Sequence, residues 1–168
     1  TNAVTLSLPS TATASSADTL SFGVVGRSLT LSGSNTLSNT VAAGLTNSTG
    51  GGVLSVVKSG GGSWQLSGAN SYTGPTEVEG GTLIGNTASI RNTLLNAGTT
   101  VFDQRENATF GHMIVGLNGR SGDMIKRGSG VLTLAKESRL DWTVEEGRLV
   151  AQADRYKSEV TTLLGGGE

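Results

Sequence analysis

Residues 58–83 of the chain, KSGGGSWQLSGANSYTGPTEVEGGTL, recur as residues 126–149, KRGSGVLTLAKESRLDWTVEEGRL. Position by position, Lys126, Gly128, Gly130, Leu132, Leu134, Val144, Gly147 and Leu149 match Lys58, Gly60, Gly62, Trp64, Leu66, Val78, Gly81 and Leu83. The offset is 68 at the lysine and 66 at the last leucine, so the second copy is two residues shorter between its strands. Repeats vary in length at their turns. Residues 28–35, SLTLSGSN, form a third and weaker copy that matches residues 63–70, SWQLSGAN, at an offset of 35. Units at about 28–45, 58–84 and 126–150 thus share one pattern. A chain built this way stacks one supersecondary unit on another.

The residues between and within the copies alternate with a period of two. Val4, Leu6 and Leu8 alternate with Thr5 and Ser7, then Leu20, Phe22 and Val24, then Leu29 and Leu31, and short apolar runs continue to residue 151. Nearly every run is three to six residues long and bounded by glycine or other turn residues, which is the signature of short strands. Only residues 154–164 read as helical, and 154–168 reads as a tail or cap. Short strands with glycine turns fit a sandwich, a barrel or a solenoid. The repeat selects the solenoid, since a sandwich has no reason to reuse one pattern at a fixed interval. The expected architecture is all-β, one β-solenoid segment over residues 1–168. At about 20 to 25 residues per coil it makes roughly seven coils.

Composition agrees with a thin core drawn out along an axis. Of 168 residues, 35% are hydrophobic and 4% aromatic, while glycine fills 26 positions. Disorder requires higher charge and fewer Val, Ile and Leu, and the net charge here is −1. In each coil Trp64 and Leu66 face inward and Ser63, Gln65 and Ser67 face water. Lys58 and its glycines make the bends.

The same near-neutral charge argues against the concentrated basic patch that a nucleic acid or an anionic membrane surface requires. The absence of cysteine excludes a disulfide framework and thiol or cysteine-metal chemistry. No apolar run approaches the roughly 20 residues of a membrane helix, so no direct membrane insertion is expected. No signal peptide follows Thr1, and the chain reads as an internal piece of a longer protein. Charge is uneven. Residues 1–76 carry three charged side chains, Asp18, Arg27 and Lys58, and the other 22 of the 25 follow Thr76.

Residues with catalytic potential are few. His112 is the sole histidine and sits beside Met113 and Ile114, and no Gly-x-Ser-x-Gly elbow occurs, so no Ser-His-Asp triad is expected. Glu77 and Glu79 lie two apart on one strand face and could approach a glycan. Asp141, Glu145 and Glu146 hold the equivalent part of the second copy. All of them read primarily as solvated residues that keep strand edges unattractive. The runs at Gly60–Gly62 and Gly128–Gly130 lack the Gly-Lys-Ser/Thr ending of a phosphate loop and read as tight corners. Trp64 aligns with Leu132 and reads as core, whereas Tyr72 and Trp142 fit either core or a sugar-stacking platform. No catalytic, metal or cofactor site is assigned.

At Lys58, Gly60, Gly62, the strand 64–66, Ser67, Gly68, Asn70, Tyr72, Gly74, Thr76, Val78, Gly81 and Leu83 the sequence resembles the autotransporter-associated β-strand repeat. Residues 101–116, VFDQRENATFGHMIVG, resemble the lead-in to such repeats. The second copy departs from the pattern, with Lys136, Glu137 and Leu140 where Gly, Asn and Tyr stood. The resemblance covers about residues 29–151. It implies a right-handed parallel β-helix from the passenger of a type V secreted protein, at the surface or outer membrane of a Gram-negative bacterium or released from it. It also implies covalent continuity with a translocator β-barrel in the full-length protein. Two roles follow: a structural and adhesive stalk that makes host-surface or self-association contacts through its uncharged flank, or the passive or folding-assisting stem of an enzyme whose catalytic domain lies elsewhere.

Overall fold

In the computed structural model, residues 2–7, 13–14, 19–21, 27–37, 39–48, 50–151 and 161–163 are described. They form nineteen short strands and no helix. The strands lie in sheets of six, eight, three and two, and every strand pairing is parallel. The chain is a parallel β-solenoid. Each strand pairs with one from the next coil, so the backbone is satisfied between coils and no deep core is needed.

The rise along the first sheet is read from consecutive partners. Leu29 pairs Val56, Val56 pairs Thr76, Thr76 pairs Leu94, Leu94 pairs Ile114 and Ile114 bridges Ser138. Individual coils therefore differ by several residues in length; the continuously described residues 50–151 make about five turns, and the eight-stranded sheet, with one strand per coil, carries the stack close to the roughly seven coils expected. The 154–168 tail lies mostly outside the described residues. Within it, Thr161–Leu163 is a strand on Trp142–Val144 rather than helix, as two adjacent β-branched threonines favour.

Inward residues stack in columns along the axis. One column runs Leu31, Lys58, Val78 and Asn96, another Trp64, Leu83, Thr100, Met124 and Trp142, and a third Gly85, Phe102, Lys126 and Val144. Phe102 packs against Phe110 and Trp142 with ring centroids 5.1 and 6.0 Å away. Trp64 and Leu66 are buried, while Ser63, Gln65 and Ser67 are half-buried or exposed.

The two copies of the repeat occupy different corners. Leu54–Lys58 lies in the six-stranded sheet and Ser63–Leu66 in the eight-stranded one, whereas Asp123–Arg127 lies in the eight-stranded sheet and Val131–Leu134 in the three-stranded one. The interval between copies is three coils plus one corner. Residues 28–32 and 63–66 are related in the same way by one coil plus one corner.

Candidate functional site

The repeat pattern becomes a three-dimensional object at its corners. Lys58 pairs with Val78 and Trp64 with Leu83, and in the second copy Lys126 pairs with Val144 and Leu132 with Leu149. Each copy is thus longer than one coil. Its first half forms one corner and its second half lies on top of it.

Lys58 is the last residue of the strand Leu54–Lys58 and is fully buried. It does not form the bend, as the sequence reading had it, but fills the bend from inside. Leu54, Val56 and Lys58 alternate inward, and the period of two carries the lysine into the core with them. Its Nζ donates to Ser59 O at 2.8 Å and Gly60 O at 2.9 Å in its own corner, and to Gly80 O at 2.9 Å in the coil above. An ammonium has three donors, and here all three are used. Burial lowers its pKa from 10.5 to about 8.

Lys126 repeats this arrangement at the next corner. Its Nζ bonds Arg127 O at 2.8 Å and Gly128 O at 2.5 Å, then Glu146 O at 3.1 Å above and Gln104 O at 3.4 Å below. Burial lowers its pKa too, opposed by the carboxylates of Glu146 and Asp103. A buried charge persists only when it is fully hydrogen-bonded, and backbone carbonyls turned inward by a tight corner supply the acceptors.

The glycines make that corner. Gly81 has φ +65°, and a Cβ there would lie 2.4 Å from Gly62 O, 2.5 Å from Gly60 O and 2.6 Å from Lys58 Nζ. Gly147 repeats this with φ +72° and Gly128 O at 2.4 Å. The left-handed conformation and the lack of space both require glycine.

The third corner uses Asn70, Tyr72 and Thr76. Asn70 Oδ1 accepts from Leu45 N at 2.8 Å and its Nδ2 donates to Ser89 O at 2.6 Å, linking three coils. Thr76 Oγ1 donates to Arg91 O at 2.8 Å. The Tyr72 hydroxyl, 2.7 Å from Thr76 Oγ1, therefore donates to it and accepts from Arg91 N at 3.1 Å. Burial raises the Tyr72 pKa. Tyr72 and Trp142, ambiguous in sequence, are both core. Trp142 Nε1 donates to Ser138 Oγ at 2.9 Å, and Trp64 Nε1 to Ser32 O at 3.0 Å.

The carboxylates do not converge. Glu77 stands between Val57 and Leu95 on the outer face of the six-stranded sheet, and Glu79 is exposed beside the first lysine corner. Glu145 pairs with Arg127 at 2.9 Å, and the Glu146 side chain is exposed at the second corner. Among the described residues no group of three or more His, Asp or Glu could hold a metal. His112 lies edge-on to Phe110 at 5.6 Å, and its pKa is lowered by burial and then by the charge of Arg91.

The corners are therefore structural devices that bind one coil to the next. Residues 56–84 match the family model of the passenger-associated-transport-repeat. No curated protein and no solved structure matches the chain. The matched span runs from the inward Val56 through the lysine corner to Ile84, the strand residue of the coil above, so the family pattern coincides with the clamped unit. Over these residues the chain carries an autotransporter passenger repeat.

Proposed function

We propose that this chain is a β-helical passenger segment of a Gram-negative autotransporter, exported to the cell surface or beyond, where it spaces or displays functional regions and takes part in adhesion or self-association. The observation that carries the reading is the buried lysine corner inside the matched repeat. Two such corners tie coils together without a thick core, which suits a long rigid stalk. Adhesion draws support from the outer face of the N-terminal coils, where Ser28, Thr30, Ser55 and Val57 stand in register without charge. Identical neutral surfaces meet without like-charge repulsion. In this reading the segment has no catalytic role of its own and continues into a translocator barrel.

The test compares cells displaying the full-length passenger with cells whose passenger lacks residues 28–84, with surface exposure confirmed by antibody. Loss of aggregation or of adhesion to host cells at equal display supports the adhesive role. Unchanged behaviour leaves only the spacer role.

A further inference from the structure

Outside the two lysine pockets, a groove follows the junction of the eight-stranded and three-stranded sheets. It consists of two adjoining clefts of about 370 and 270 Å³ that share Asp103 and Arg105. The larger reaches Gln65, Ser67 and Asn86, and the smaller reaches Arg127, Ser129 and Glu146. These residues come from five successive coils, since Gln65 pairs with Ile84, Ile84 with Val101, Asp103 with Arg127, and Lys126 with Val144. The groove runs along the solenoid axis. Its rungs repeat at the strand spacing of about 4.8 Å, close to the length of one pyranose unit.

We propose that this groove binds a neutral, hydroxyl-rich oligosaccharide lying along the axis. Three observations support this ligand class. The floor is preorganised: Gln104 is buried, with Oε1 accepting from Thr87 N at 3.1 Å and Nε2 donating to Glu106 O at 2.7 Å. Above it, polar groups remain for a ligand. The Gln65 amide, the Ser67 hydroxyl and the Glu106 carboxylate make no hydrogen bond among the described residues, and Asn86 spends only its Oδ1, on Ala88 N and Ser89 N. Arg105 is 78% exposed and held only by a 3.5 Å contact to Asp103, so its guanidinium can turn to a ligand. The third observation is charge. Asp103, Glu106 and Glu146 line the clefts with Arg105 and Arg127, the last already paired with Glu145 at 2.9 Å, a set that offers donors and acceptors without the basic excess that a polyanion requires. The larger cleft falls in the size range of ligand sites, about 300 to 1,000 Å³.

This site stands on the groove and not on the passenger reading, and it is tested in solution without cells. The 168-residue chain is titrated by calorimetry with cellohexaose, maltohexaose and chitohexaose in turn, with a Ser/Thr-rich hexapeptide as a separate arm. The comparison proteins are the double variant Gln65→Ala, Arg105→Ala and the control Lys136→Ala. Circular dichroism confirms that each is folded, and if the double variant is not, Gln65→Ala alone replaces it. Saturable binding of at least one hexasaccharide, weakened tenfold or more in the groove variant and unchanged in the control, is the expected result. No binding of any sugar, binding that the groove variant leaves intact, or binding of the peptide alone each overturns the proposal.

Discussion

Replacing Lys58 with methionine keeps the aliphatic stem in its column between Leu31 and Val78 and removes only the ammonium. Three carbonyls, those of Ser59, Gly60 and Gly80, then lose the donor that the fully buried lysine supplied. A hydrogen bond to a charged group contributes about 1.5–3 kcal/mol, so three lost bonds cost about 5–9 kcal/mol. Against this, burying the charge is itself unfavourable. The drop in pKa from 10.5 to about 8 corresponds to at most about 3 kcal/mol that the variant recovers. The carbonyl loss wins, and Lys58→Met is expected to destabilise the chain by about 2–6 kcal/mol. Urea unfolding at pH 7, followed by Trp64 and Trp142 fluorescence, measures it, with the exposed Lys136→Met as control. Hydrogen exchange at the amides of Glu79 and Thr82, which bond Lys58 O and Gly62 O, shows whether the loss is centred on this corner. A midpoint for Lys58→Met equal to that of the control would refute the reasoning, because the three carbonyl bonds would then add nothing beyond the cost of burying the ammonium.

Burial lowers the Lys58 pKa, so below about pH 8 folded and unfolded chains both hold the proton, and between about 8 and 10.5 only the unfolded chain does. Stability therefore rises with pH across that window, and the urea midpoint of the parent should climb relative to that of Lys58→Met, a gap that must not shrink. Gly81→Ala should cost about 2–4 kcal/mol through its left-handed conformation and close contacts, whereas Gly61→Ala, with nothing within 4 Å of the added Cβ, should change the midpoint little; equal effects would contradict the corner geometry. Tyr72→Phe leaves Arg91 N without its acceptor and should destabilise by about 1–3 kcal/mol, read by thermal unfolding. Breaking the exposed Arg127 and Glu145 pair with Arg127→Ala should stay within about 1 kcal/mol.

Much of the architecture is legible in the sequence. The period-two alternation located most strands, and the aligned Lys58 and Lys126, Gly81 and Gly147 named the corner residues, because an inward apolar position or a left-handed turn restricts residue type locally. The direction of Lys58 was also encoded, in the inward rhythm of Leu54, Val56 and Lys58, but a charged residue beside a glycine run is easily assigned to the outside of a bend. The groove could not be found this way. Gln65, Asn86, Arg105 and Glu146 share no spacing or motif, and only the winding of the coils places them on one line.

By itself, then, the sequence determined an all-β, repeating, thin-cored solenoid and the glycine and lysine positions of its corners, since these follow from side-chain alternation and from the steric needs of single residues. Tertiary structure alone decided the length of each individual coil and the fact that each repeat advances by a corner. It also decided which coil's carbonyls close over each ammonium. Those depend on register between strands far apart in the chain, and register is set by how variable turns sum along the solenoid, which no local pattern records.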